Sequence, residues 1–131
     1  MAGDERKGLT LKKIKEILGC EVITGEDLLD ISVETAGAAD MMSDVLAFTR
    51  PGALLITGLI TPQAVMTSDV VDVKAILYVR GKIPLKETIV LAREKNIPIL
   101  ATHCHMFETC GRLFVNGLKP SAYGAKKKNG A

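Results

Sequence analysis

Three short runs of the chain, Ala53-Leu54-Leu55-Ile56-Thr57, Ala75-Ile76-Leu77-Tyr78-Val79 and Ile97-Pro98-Ile99-Leu100-Ala101, are apolar on both alternating faces. A strand with one wet face alternates apolar and polar residues, whereas a strand covered by helices on both sides does not. The runs are therefore read as parallel strands, and the two amphipathic, helix-length segments between them as the crossovers of a βαβαβ core. The first crossover opens at Thr61-Pro62, an N-cap followed by the helical position that tolerates proline, and runs to about Val71. Pro84 opens the second in the same way, with Leu85, Ile89 and Ala92 on one face and Asn96 as a left-handed terminator.

Shorter signals flank this core. Thr10 reads as the N-cap of a helix whose apolar face is Leu11, Ile14, Ile17 and Leu18, closed by Gly19. Cys20 to Thr24 and Ile31 to Thr35 read as strands. Ser43 caps a short helix through Val45, Leu46 and Phe48, which must stop before Arg50 because Pro51 disfavours a helical conformation at its predecessor. Met106 to Val115 predicts the last helix, with Phe107, Cys110, Leu113 and Phe114 at core spacing and Asn116-Gly117 at its end. The expected organisation is a flexible N-terminus over residues 1–8, an α/β domain over 9–118, and a flexible basic tail over 119–131.

Composition narrows the function classes. A length of 131 residues fits one domain, and 47% hydrophobic residues with no Trp and 4% aromatics predict an aliphatic core with few rings for stacking bases. Nucleic acid is thus a disfavoured partner. The net charge of +2 comes largely from basic clusters near the two ends, read as solvated. An odd set of 3 cysteines, with no apolar stretch of the length a membrane span needs, leads us to expect a cytoplasmic protein with no membrane contact.

In open α/β sheets the ligand sits at the carboxyl ends of the strands. The residues that follow the three runs are therefore the candidate ligand site: Thr57, Gly58, Thr61 and Gln63, then Arg80 and Lys82, then Thr102 and His103. Backbone N–H groups at the start of the Pro62 helix would suit an anion, and Arg80 and Lys82 would add positive charge. No phosphate-loop or dinucleotide fingerprint occurs, and no Ser/His/Asp set converges, so no catalytic residue and no cofactor is assigned. The acidic residues Glu26, Asp27, Asp40, Asp44, Asp69 and Asp72 read as caps or turns by position, although Asp40 to Asp44 with Met41-Met42 would also suit an interaction surface. His103-Cys104-His105 with Cys110 has the residue types of a zinc set. Alternation, however, separates Cys104 from the two histidines, and Cys110 falls on a helix face expected to be core, so no metal site is assigned.

Arg50-Pro51-Gly52 before the strand ending Ile56-Thr57-Gly58, then Tyr78-Val79-Arg80-Gly81, the Pro84 helix and Asn96-Ile97-Pro98-Ile99-Leu100, bring a family to mind. With Leu11-Lys12-Lys13-Ile14, Thr24-Gly25-Glu26, Met42 to Ala47 and Met106 to Leu118, the chain resembles the small stand-alone DRTGG-domain proteins and, more distantly, the N-terminal domain of bifunctional HPr kinase/phosphorylase. The element nearest the eponymous five residues is Ile56-Thr57-Gly58-Leu59. The resemblance implies a three-layer α/β/α Rossmann-like domain with a central parallel sheet, a homodimer, and a regulatory role. The leading expectation is a non-catalytic regulatory or ligand-sensing domain for a nucleotide or anionic metabolite. Two alternatives stand beside it: an interaction module for a protein partner in a kinase or metabolic complex, and a small metal-dependent enzyme or accessory protein using residues 102–110.

Overall fold

The computed structural model describes residues 8–121. Its elements run β1 (Leu9–Thr10), α1 (Leu11–Leu18), β2 (Glu21–Thr24), β3 (Ser32–Val33), β4 (Thr35–Ala38), α2 (Met42–Phe48), β5 (Leu54–Thr57), α3 (Pro62–Val70), β6 (Ala75–Tyr78), α4 (Lys86–Glu94), β7 (Ile99–Ala101), α5 (Met106–Val115) and β8 (Lys119–Pro120). Six strands form one sheet in the order β2-β7-β6-β5-β4-β8, and β1 and β3 form a separate two-stranded ribbon. From β7 to β8 every neighbouring pair is parallel, while β2 is antiparallel to β7 at the edge.

The three doubly apolar runs are adjacent strands, in register through Leu55 with Ile76 and Leu77 with Leu100. Every residue of β5, β6 and β7 is buried, as strands covered on both faces require. Because successive side chains point to opposite faces, the core divides in two. Leu54, Ile56, Leu77 and Leu100 pack with Leu11, Ile14 and Leu18 of α1 and Leu113 of α5. Leu55, Ile76, Tyr78 and Ile99 pack with Met42 and Val45 of α2, Ala64 and Val65 of α3, and Ala92 of α4. The molecule is thus the expected α/β/α sandwich, with α1 and α5 on one face and α2, α3 and α4 on the other.

Local chemistry explains several boundaries. Thr10 caps α1 by accepting from Lys13 N at 3.1 Å, and Gly19 ends it in the left-handed conformation. Asn96, with φ 57, turns the chain out of α4, as expected. Four expectations need correction. The strand placed at Ile31 to Thr35 is two strands, β3 in the ribbon and β4 in the main sheet. α2 starts at Met42 from an N-cap at Met41, so Ser43 lies inside the helix, and Met42 is core. Extended Leu85 is the N-cap of α4, which moves the helix start past Pro84 to Lys86. Finally, Lys119–Pro120 are not tail but β8, tied to β4 by Lys119 N donating to Glu34 O and Ser121 N donating to Ala36 O, each at 3.1 Å. Gly8 and buried Ser121 are described too, and the remaining residues of the two expected flexible ends, 1–7 and 122–131, lie outside the described residues.

Candidate functional site

Four parallel strands end side by side, and their following residues form one rim. Arg80 N donates to Cys104 O at 2.8 Å and Gly81 N to Thr102 O at 2.9 Å, which binds the loop after β6 to the loop after β7. Lys82 N closes back on Val79 O at 3.1 Å. This tight turn holds Arg80 at φ 60 and Gly81 at φ 69. A left-handed conformation is inexpensive for glycine but costs roughly 1–2 kcal/mol for a residue with a Cβ, so Arg80 is held where arginine is not the cheapest choice. His103 closes the turn from the other side: a Cβ on Gly81 would stand 3.0 Å from its Nδ1.

The middle of the rim is Gly58. A Cβ there would lie 3.4 Å from Nη2 of Arg80 and 3.6 Å from Oδ1 of Asp40. Asp40 follows β4, and its Oδ1 accepts from Gly58 N at 2.7 Å and from the Thr57 hydroxyl at 3.0 Å. Thr57 Oγ1 in turn accepts from Leu59 N at 3.2 Å. An exposed carboxylate, a bare glycine floor and an exposed guanidinium therefore stand in a row, with exposed His103 at the end.

The sequence-derived residues take different places. Gly58, Arg80 and His103 meet at the rim surface. Half-buried Lys82 follows the turn, while half-buried Thr61 and exposed Gln63 begin α3 a few residues beyond Gly58. Thr61 makes no side-chain cap bond, so Gln63 N–H is not capped by it. Thr57 is fully buried with its hydroxyl committed to Asp40. Thr102 is buried as well: its hydroxyl donates to Leu18 O at 2.8 Å and accepts from Cys104 N at 3.2 Å, pinning the end of α1 to the sheet. Asp40, read as a turn residue, is the member that sequence reasoning placed elsewhere.

The histidine–cysteine segment is dispersed. His103 and His105 are exposed, whereas Cys20 is buried and Cys104 and Cys110 pack against the α1/α5 side of the core. Burial, helped by neighbouring Cys104 and opposed by Lys15, pushes the Cys20 thiol up to about 12, and burial also raises Cys110. Among the described residues no group of three or more His, Cys, Asp and Glu is arranged to hold a metal ion. Phe107 and Phe114, expected in the core, are instead 92% and 65% exposed. Thr109 and Leu113 are the buried residues of that helix.

Those rings border the β8 edge of the sheet. A cavity of about 340 Å3 lies between α5 and β4, lined by Gly37, Ile56, Phe107, Gly111, Phe114 and Pro120. Another of about 420 Å3 opens on the opposite face against α2, lined by Gly37, Asp44, Phe48, Thr49, Leu55 and Ser121. Among the described residues no helix is long and apolar enough to cross a membrane.

No curated protein sequence matches the chain. Among solved structures, it is similar to a crystal structure of the CBS and DRTGG domains of the regulatory region of Clostridium perfringens pyrophosphatase, complexed with the activator diadenosine tetraphosphate. The two share 24% identity and a TM-score of 0.65 over 84% of this chain, which spans 47% of the length of that one. At that identity the likeness is one of fold. The sequence model of the DRTGG domain matches residues 13–114, from the first turn of α1 almost to the end of α5. Since that match takes in the whole β4–β7 sheet and all four rim loops, the chain belongs to the DRTGG domain family.

Proposed function

We propose that this domain is a non-catalytic regulatory module that senses a nucleotide or related anionic metabolite at the ends of its parallel strands, and that it does so as a homodimer. The observation carrying the ligand reading is Arg80, held at φ 60 by its turn with its guanidinium over Gly58. Strain of this kind gathers at binding sites, and the place is where an open α/β sheet receives its ligand. The nucleotide bound to the Clostridium perfringens regulatory region supports the ligand class. Arg80→Ala is expected to weaken binding of ATP or diadenosine tetraphosphate by about 1–3 kcal/mol, the worth of one charge-assisted hydrogen bond, with wild-type affinity falling as salt rises. Amide chemical-shift mapping with calorimetry tests this. Shifts confined to the amino ends of β4–β7 would remove the site, and a rim silent to every nucleotide and acyl phosphate would favour an interaction module for a protein partner.

The dimer reading rests on the α5 face. Phe107, Phe114 and Val115 are 92%, 65% and 80% exposed, and half-exposed Phe48 of α2 lies at the same sheet edge on its other face. Large rings exposed together mark interaction surfaces, and a stable dimer through this edge would bury more than about 1,000 Å2 in all. Light scattering at tens of micromolar is expected to report a dimer that becomes a monomer in Phe107→Glu/Phe114→Glu. A monomeric wild type would sink the reading. We also propose a cytoplasmic setting, and a distant relationship to the N-terminal domain of HPr kinase/phosphorylase.

A further inference from the structure

We propose that Asp40 makes the rim a two-ended site that selects phosphates carrying a sugar with free hydroxyls over bare phosphates. The inference rests on the ligand reading above and adds the chemistry of the end opposite Arg80.

In an open strand-to-helix loop the first N–H groups are the natural seat of a phosphate oxygen. Here the first two of the loop, those of Gly58 and Leu59, are taken, which leaves the start of α3 at Gln63, uncapped by Thr61. Gly58 N donates to Asp40 Oδ1 at 2.7 Å, the Thr57 hydroxyl donates to the same oxygen at 3.0 Å, and Leu59 N donates to Thr57 Oγ1 at 3.2 Å. A carboxylate of the chain already sits where an anion would, and like charges brought together repel. A phosphate is thereby turned away from the β5 end and toward Arg80. Both bonds to Asp40 end on Oδ1, while Oδ2 lies 3.8 Å from the Cβ position of Gly58. An exposed carboxylate oxygen is an acceptor only, so it recognises hydrogen-bond donors.

Gly58 lets one ligand reach both ends. Asp40 and Arg80 flank a floor with no side chain, and any side chain at residue 58 would grow into the space between them. A molecule lying across this floor meets a guanidinium on one side and a carboxylate on the other. Nucleoside phosphates answer both demands, with phosphate oxygens for Arg80 and the vicinal ribose hydroxyls as donors for Asp40. Inorganic phosphates answer only the first.

The test is calorimetry at low salt with ATP, 2′,3′-dideoxy-ATP and tripolyphosphate, on the wild type and on Asp40→Asn. The Asn amide oxygen can still accept from Gly58 N and Thr57, so the loop keeps its bonds. Thermal melting checks that it does. The wild type is expected to bind ATP about tenfold more tightly than the dideoxy nucleotide, a difference of about 1.4 kcal/mol. Asp40→Asn is expected to shrink that ratio toward one and to tighten tripolyphosphate severalfold. A wild-type ratio near one overturns the inference without any variant, and so does a ratio that survives Asp40→Asn. In either case binding that still depends on Arg80 leaves the ligand reading intact. If none of the three probes binds the wild type, both readings fall together.

Discussion

Leu77→Ala is expected to lower the unfolding free energy by about 3 kcal/mol, within the range of roughly 2–5 kcal/mol for buried Leu truncations. Leu77 is fully buried on β6, between Ile56 of β5 and Leu100 of β7 in the sheet register, and it packs under α1 and α5. The loss has two parts, the transfer free energy of the missing carbons and the void they leave. Strands hydrogen-bonded on both sides cannot move inward to fill that void, so the second part is retained. A domain of this size has about 5–15 kcal/mol to lose, and urea denaturation will show the change as a lower midpoint at nearly constant slope. Leu77→Met, which keeps the volume, should cost less than about 1.5 kcal/mol, and half-exposed Val90→Ala should stay within about 0.5 kcal/mol. An equal loss at Leu77 and Val90 would refute the account.

Gly25→Ala is expected to cost about 2–5 kcal/mol for a different reason. Gly25 follows β2 at φ 82, and a Cβ there would lie 2.6 Å from Cβ and 2.8 Å from Cα of Pro98. Pro98 cannot retreat, because Ile76 N is hydrogen-bonded to its carbonyl at 3.0 Å and Ile97 O accepts from the Thr24 hydroxyl at 2.8 Å. The cost therefore combines roughly 1–2 kcal/mol for the left-handed backbone with 1–3 kcal/mol for overpacking. Gly19 separates the two contributions, since at φ 63 it has nothing within 4 Å of its Cβ position. Gly19→Ala should show the backbone contribution alone, about 1 kcal/mol. If the two variants melt alike, the contact with Pro98 contributes nothing.

The strongest elements were legible because they obey one rule at a time. β5, β6 and β7 are continuous apolar runs because helices cover both faces, and α1 carries both its cap and its glycine stop. β4 was misplaced because Thr35-Ala36-Gly37-Ala38 has almost no hydrophobic signal. Cavities rather than tightly packed helices lie against it, so large side chains are not demanded there. That miss carried Asp40 with it: an aspartate is read as a turn residue unless the strand before it is recognised, and only the sheet brings it against Gly58. Three of the rim loops were found from the general preference of ligands for strand ends, which needs the order of strands and no motif. Phe107 and Phe114 show the limit of periodicity. Residues seven apart share a helix face, but spacing alone does not say whether that face meets the chain's own sheet or lies open.

One asymmetry of the sandwich bears on how the protein is made. α2, α3 and α4 each lie between the strands they connect, so that side of the sheet assembles from neighbours in the sequence. The other side is closed by α1 and α5, from opposite ends of the domain, and β8 must travel back to pair with β4. Contacts between distant parts of a chain carry the larger loop-closure cost and form late. During synthesis α1 is available first, but the cover over Leu54, Ile56, Leu77 and Leu100 stays incomplete until α5 with Leu113 has left the ribosome. That surface, buried in the finished domain, is the one the nascent chain must keep from other chains while it waits.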